Sequence, residues 1–244
     1  MEVITSLQNE RIKNVSKYLQ KKYRDLDSKF LVEGEHLVEE AFKAGLLLEV
    51  FMCEDITISF SVPTTIVSYE VIKKLSNTMN PQRIIGVVKK QSEKEIGNKV
   101  LILDDIQDPG NLGTIIRSSL AFGVDTIILS PNSVDLYNDK VIRSTEGMIF
   151  HINVIRRNLY EVIDELHDKG YQVFGTNVHV GMLVEKIEVP NKYAIIMGNE
   201  GNGVHEELLD SCDSYLYIPM DSKVESLNVA VATSIILYEF SKRG

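Results

Sequence analysis

Cysteine is scarce in this 244-residue chain. Cys53 and Cys212 stand apart, with no second Cys or His at metal-ligand spacing, which argues against a disulfide scaffold and a zinc module. Long apolar runs are missing too: stretches such as Val229-Ala230-Val231-Ala232 fall far short of the roughly 18–20 residues a membrane helix needs. Residues 1–6 lack a basic start followed by an apolar stretch, so no secretory signal is expected. Gly and Pro are at ordinary levels, 15 and 6 residues, and 44% hydrophobic with 25% charged residues is average globular usage. Disorder, a collagen-like chain and a coiled-coil rod are poor readings. The expectation is a soluble, cytoplasmic protein of one large domain or two modest ones, without a membrane or metal site.

Net charge is −9, but its distribution is uneven. Residues 1–29 carry seven Lys/Arg against four Asp/Glu, whereas residues 99–244 carry twelve against twenty-one. Across residues 10–24, Ile12, Val15, Leu19 and Tyr23 recur at helical spacing, and Lys13, Lys17, Lys21 and Arg24 fall on the opposite face. Alone, such a stripe reads as a solvated helix face. It is also enough to track phosphates on an otherwise acidic protein. Short β-prone and helical stretches follow up to residue 89, a small α/β unit. The polar run over 89–98 reads as a linker, which divides the chain into 1–95 and 99–244.

Beyond residue 99 strands and helices alternate. Strands are expected at 100–104, 125–129, 149–155, 171–176, 193–197 and 214–219, and helices at 112–122, 138–144, 158–169, 204–210 and 226–241. That alternation implies an α/β fold, a mostly parallel sheet with helices on both faces. The last helix has almost no polar side and is expected to be buried nearly all round.

Ligands of open α/β sheets gather at the carboxyl ends of strands. Three loops there are rich in Gly, Asn or Ser: Asp108-Pro109-Gly110-Asn111-Leu112-Gly113 leading to Arg117, Gly198-Asn199-Glu200-Gly201-Asn202-Gly203, and Ile218-Pro219-Met220 leading to Ser226-Leu227-Asn228. Each has a plain structural reading, with Asn111 and Ser226 as helix caps and the glycines as turn residues. None carries Gly-x-Gly-x-x-Gly order or Gly-Lys-Ser/Thr, so a dinucleotide enzyme or an NTPase is a weak reading.

In order and spacing, however, the three loops resemble the motifs of the SpoU (TrmH) family of RNA ribose 2′-O-methyltransferases. Tyr137-Asn138 and Arg143-Ser144 also look like family features, and the front of the chain resembles the family's small substrate-binding domain. Ser222 departs from a usual Gly, and Glu146 and Met148 from a usually small-residue stretch. The resemblance implies a trefoil-knotted C-terminal domain that uses S-adenosylmethionine and dimerises. Thr176, Gly198, Ile218, Met220 and Leu227 would hold the cofactor, and Asn111, Arg117, Glu200, Ser226 and Asn228 would surround the target ribose. Lys13, Lys17, Lys21 and Arg24 would then contact RNA. Ribosomal RNA, 23S-type, is favoured over tRNA because a separate front domain is present. The alternatives are a tRNA methyltransferase and a non-catalytic RNA-binding assembly factor.

Overall fold

The computed structural model describes residues 3–178 and 180–243. They form two compact units: residues up to Ser92 together with 135–150, and residues 93–134 together with those from 151 onward.

The first unit opens with helix α1, Glu10–Ser16, started by Asn9, whose side chain accepts from the Arg11 N–H. The single helix expected over 10–24 does not form. A 3-10 turn, Lys17–Leu19, ends at Gln20 in extended backbone (φ −101°, ψ 133°), and α2 starts afresh at Lys21–Asp27. The break leaves carbonyls without helical partners. Arg24 serves them: its Nη1 donates to the Tyr18 and Leu19 carbonyls at 3.1 and 2.8 Å, and its Nη2 pairs with Asp135 at 2.5 Å. Arg24 is only 7% exposed. It is therefore a structural residue and not part of a phosphate-facing stripe, because its fork is spent on carbonyls and a carboxylate.

Strands β1 (Lys29–Glu33), β2 (Leu47–Met52), β3 (Thr64–Ile66) and β4 (Ile84–Lys89) make a sheet in the order β1-β4-β2-β3. It is antiparallel except between β2 and β3. Helices α3 (Glu35–Lys43) and α4 (Tyr69–Lys74) accompany it. Residues 135–150, expected in the C-terminal domain, join this unit and include the helix Asp139–Ser144. Tyr137 packs on Phe30 at a ring separation of 4.7 Å, and Phe150 stacks on the same ring at 6.3 Å. Aromatic burial and the Arg24–Asp135 pair, not chain order, decide that membership.

The second unit carries β5 (Lys99–Leu103), α5 (Pro109–Ala121), β6 (Thr126–Leu129), β7 (Asn153–Arg156), α7 (Leu159–Asp168), β8 (Gln172–Thr176), β9 (Met182–Leu183), β10 (Tyr193–Met197), α8 (Glu206–Asp210), β11 (Ser214–Tyr217) and α9 (Val229–Ser241); the Asp139–Ser144 helix is α6. The sheet order is β7-β6-β5-β10-β8-β11-β9, and every pairing is parallel. β6 and β10 are buried along their whole length, as expected of strands covered on both faces. α7 shows how the sequence writes such a cover: Asn158 caps its start, and Leu159, Val162, Ile163 and Leu166 fall on one buried face. The expected strand 149–155 is shorter, because 148–150 is a 3-10 turn.

α9 is not buried all round within the chain. Its inner side packs Phe240 edge-on against Phe174 and Tyr193, at 5.7 and 5.0 Å, while Val231 and Tyr238 remain 48% and 49% exposed. Among the described residues no helix is long and apolar enough to cross a membrane.

Removing the partner of a buried charge is costly, so Asp135→Ala should destabilise the protein by about 3 kcal/mol in urea unfolding. Lys21→Ala, which breaks only the exposed pair with Asp25, should change stability by less than about 1 kcal/mol.

Candidate active site

Within the second unit, β5 and β10 are neighbours in register, Leu103 beside Met197. Their following loops, 104–108 and 198–204, therefore emerge side by side at the carboxyl end of the sheet. The chain runs from β5 outward through β6 and β7, then crosses to β8 on the other side, so this is the point where the winding reverses and ligands of such sheets bind.

The loop after β10 is a tight hairpin. Asn199 and Gly203 exchange both backbone hydrogen bonds, at 2.9 and 3.0 Å, and the Asn199 carboxamide oxygen accepts from the Gly201 and Asn202 N–H groups. A Cβ on Gly198 would lie 2.1 Å from the Gly203 carbonyl carbon and the Val204 nitrogen, so the closure requires glycine there. Gly203 itself has φ +73°, which also favours glycine.

One chain of hydrogen bonds joins all three motif loops. The Asn228 amide donates to Asn111 Oδ1 at 2.9 Å, and the Asn111 amide donates to Glu200 Oε1 at 3.0 Å. Glu200 also accepts from the backbone N–H groups of Asp108 and Gln107, at 3.0 and 3.2 Å. Desolvation pushes the Glu200 carboxyl up, but the Asn111 amide and those backbone donors outweigh it and hold it below its usual range. Glu200 is thus an anion that orients the first loop's backbone and Asn111; Arg117 is not its partner. The caps fall elsewhere than expected. Asp108, not Asn111, starts α5, accepting from the Asn111 N–H at 2.8 Å. Asn228, not Ser226, starts α9, accepting from Ala230 and Val231.

Beside this chain lies a cavity of about 280 Å³, close to the lower end of ligand pockets, about 300 Å³. Thr176, Gly198, Ile218, Met220 and Leu227, the five residues expected at the cofactor, all line it, with Glu200 and Ser226 at its wall. The Thr176 hydroxyl donates to the Ile196 carbonyl at 2.8 Å, and the lining mixes apolar residues with polar ones such as Asn202 and Ser226. Such a slot fits an adenosine-bearing cofactor: apolar side chains for the faces of the base, polar groups for its edges and ribose. Arg117 does not line the cavity. It is exposed on α5 and makes no hydrogen bond or ion pair among the described residues, so its cation is free for an external anion. Lys13, Lys17 and Lys21 lie in the first unit, bonded to Glu10, Asn14 and Asp25.

Two acids missed by sequence reasoning clamp the hairpin. Asp104, 2% exposed at the end of β5, accepts from the His205 backbone N–H at 2.9 Å and binds its Nδ1 at 2.7 Å. The Asp105 carbonyl accepts from the Asn199 amide at 2.8 Å, with Asp105 held at φ +54°. Their position directly after an apolar strand was the available signal.

The hydrogen bond and charge of Asp104 raise the His205 pKa. A raised folded-state pKa means that the stabilisation is fully present below the unfolded value of about 6.5 and is lost as pH rises through the folded value. Because the His205 side chain is 54% exposed, the amplitude is modest. Urea midpoints measured between about pH 6 and pH 9 should decline for the wild-type protein, and His205→Gln should flatten that component of the decline.

The chain matches the SpoU rRNA methylase family over residues 98–238 and an MRM3-like substrate-binding domain over residues 9–86. It is 41% identical to the 23S rRNA (guanosine(2553)-2′-O)-methyltransferase RlmP of Bacillus subtilis, over 98% of both chains. It is 42% identical to a putative TrmH family tRNA/rRNA methyltransferase of Staphylococcus aureus over 64% of each. The AdoMet-bound crystal structure of an rRNA methyltransferase from Sinorhizobium meliloti superposes with a TM-score of 0.86 at 30% identity, covering 99% of this chain and 97% of that one. On the matched domain and the full-length identity together, the chain belongs to the SpoU rRNA methylase family.

Proposed function

We propose that this protein methylates a ribose 2′-hydroxyl in 23S-type ribosomal RNA, with S-adenosylmethionine as the donor. The observation that carries this reading is the hydrogen-bond chain from Asn228 through Asn111 to Glu200, which builds one polar wall beside the cavity lined by Thr176, Gly198, Ile218, Met220 and Leu227. The RlmP relative, similar over nearly the whole chain, acts on 23S rRNA, and a substrate-binding domain precedes the methylase domain. Both support ribosomal RNA over tRNA. Intact loops argue against a non-catalytic assembly factor.

The cofactor supplies an activated methyl group on a sulfonium, whose positive charge is consumed on transfer. Such a displacement needs alignment of the hydroxyl and an acceptor for its proton. Asn111, Asn228 and Ser226 offer neutral hydrogen bonds to a ribose without competing as nucleophiles. Glu200 keeps Asn111 and the 107–108 backbone in place. A guanidinium is a poor general base, so the role of Arg117 is to clamp the target phosphate and stabilise charge developing on the 2′-oxygen.

Arg117→Ala should lower methyl transfer by about 10²–10³-fold, as loss of one charge-stabilising donor does, while isothermal titration shows cofactor affinity within a few-fold of wild type. A comparable loss of affinity would place Arg117 at the cofactor instead. Mapping of 2′-O-methyl sites in RNA from cells with and without the protein should show one site lost in 23S rRNA; the guanosine modified by the relative is the first to inspect.

The protein works as a homodimer through α9. About half of Val231 and of Tyr238 stays exposed on a helix whose opposite side is core, an apolar strip in an acidic protein that a second copy would cover. Sedimentation equilibrium at micromolar concentration should show a dimer, and Tyr238→Glu should shift it toward monomer.

A further inference from the structure

In the first unit, Glu33 spends its carboxylate on a single loop. It accepts from the hydroxyls of Ser76 and Thr78 and from the Gln82 N–H, the latter two at 3.0 and 2.9 Å. Gly34 follows at φ +101°, and a Cβ there would lie 2.5 Å from Gln82 Oε1, so the absent side chain is what lets Gln82 lie against the turn. The Tyr69 hydroxyl adds a bond to the Pro81 carbonyl at 3.2 Å. The segment from Ser76 to Arg83 is therefore pinned at both ends and in the middle.

What it presents outward is Asn77, Met79 and Asn80, all exposed, with Met79 at 95%. Beside them, Lys73 Nζ and Arg83 Cζ both stand over the Tyr69 ring, at 5.1 and 5.7 Å. Lys73 and Arg83 have acidic partners, Glu70 and Asp55, but both pairs are roughly half exposed and exchange readily for a stronger anion. Glu33 is turned toward the loop's interior, where its carboxylate accepts from Ser76, Thr78 and the Gln82 N–H. An ordered surface of amides and a thioether, beside a cation–aromatic cluster whose two acids are each paired with a cation, thus stands on a protein of net charge −9.

We propose that the 76–83 loop, with Lys73 and Arg83, reads unpaired nucleotides of the RNA substrate; the inference rests on the RNA-methyltransferase reading above. Sequence-specific RNA recognition targets splayed bases, because the deep groove of an A-form duplex is closed to side chains. Asn77 and Asn80 each carry a donor and an acceptor for a base edge, Met79 offers a polarisable apolar contact to a base face, and the two cations meet the flanking phosphates. Pre-ordering by Glu33 spares the cost of fixing the loop on binding. Base reading by this loop is separate from the phosphate contact expected of Lys13, Lys17 and Lys21, whose bonds to neighbours are exposed as well; Arg24 is buried.

The test uses the full chain carrying Asn77→Ala, Met79→Ala and Asn80→Ala together, three exposed positions outside the methyltransferase cavity. Binding is measured to a 23S rRNA fragment with an unpaired target loop and to a fully duplex version, across a salt series. The expected result is about tenfold weaker binding to the looped fragment, an unchanged salt slope and unchanged cofactor affinity, with duplex binding unaffected. Unchanged affinity for the looped fragment overturns the proposal, as does an equal loss on the duplex. If the wild-type protein binds the cofactor but neither RNA, the RNA reading fails along with the loop. If wild type binds the looped fragment and the variant binds it equally, only the loop proposal fails.

Discussion

Everything at the site depends on the parallel pairing of β10 with β5. Because Met197 lies beside Leu103, two loops nearly a hundred residues apart leave the sheet next to each other, and Glu200 arrives within hydrogen-bond range of the 107–108 backbone. A carboxylate there satisfies backbone N–H groups that the turn into α5 would otherwise leave without partners. It also turns the Asn111 amide so that its oxygen faces Asn228. The third loop is then tied in by the residue that caps α9. Backbone satisfaction and the joining of the three loops are the same set of hydrogen bonds.

That economy fits the role proposed for the motif residues, which are polar but mostly uncharged. A ribose hydroxyl is neutral, and reading it takes directed hydrogen bonds rather than field. The charges present have other work. Glu200 organises backbone, Asp104 with His205 holds the hairpin exit, and Arg117 makes no hydrogen bond or ion pair among the described residues. The buried Asp104 carboxyl has its hydrogen bonding met by two groups of one residue, the His205 N–H and Nδ1.

The first unit follows a similar logic with different parts. Arg24 looks like one more cation on a basic stripe, yet it closes a helix break and pairs with Asp135 from a distant segment. Glu33 looks like one more surface acid, yet its oxygens are consumed by the 76–82 loop. In both cases a charged side chain substitutes for regular secondary structure, satisfying groups that no helix or strand reaches.

Periodicity alone made much of the second unit legible. The short apolar runs within the strands expected at 100–104, 125–129 and 193–197, alternating with helical stretches, read as buried strands, and 158–169 as a helix, of which Leu159, Val162, Ile163 and Leu166 form the buried face. The three loops stood out through their resemblance to the family's motifs, each having a plain structural reading alone, and the residues that the resemblance assigns to the cofactor line one cavity. Spacing could not reveal the break at Gln20, since the apolar pattern of 10–24 continues through it and the deciding interaction comes from Asp135. Nor could it show that 135–150 belongs with the first unit, that Asp104 holds His205, or that α9 keeps an exposed side. Local sequence sets which face of an element is apolar; only the long-range pairings decide which neighbour, if any, covers it.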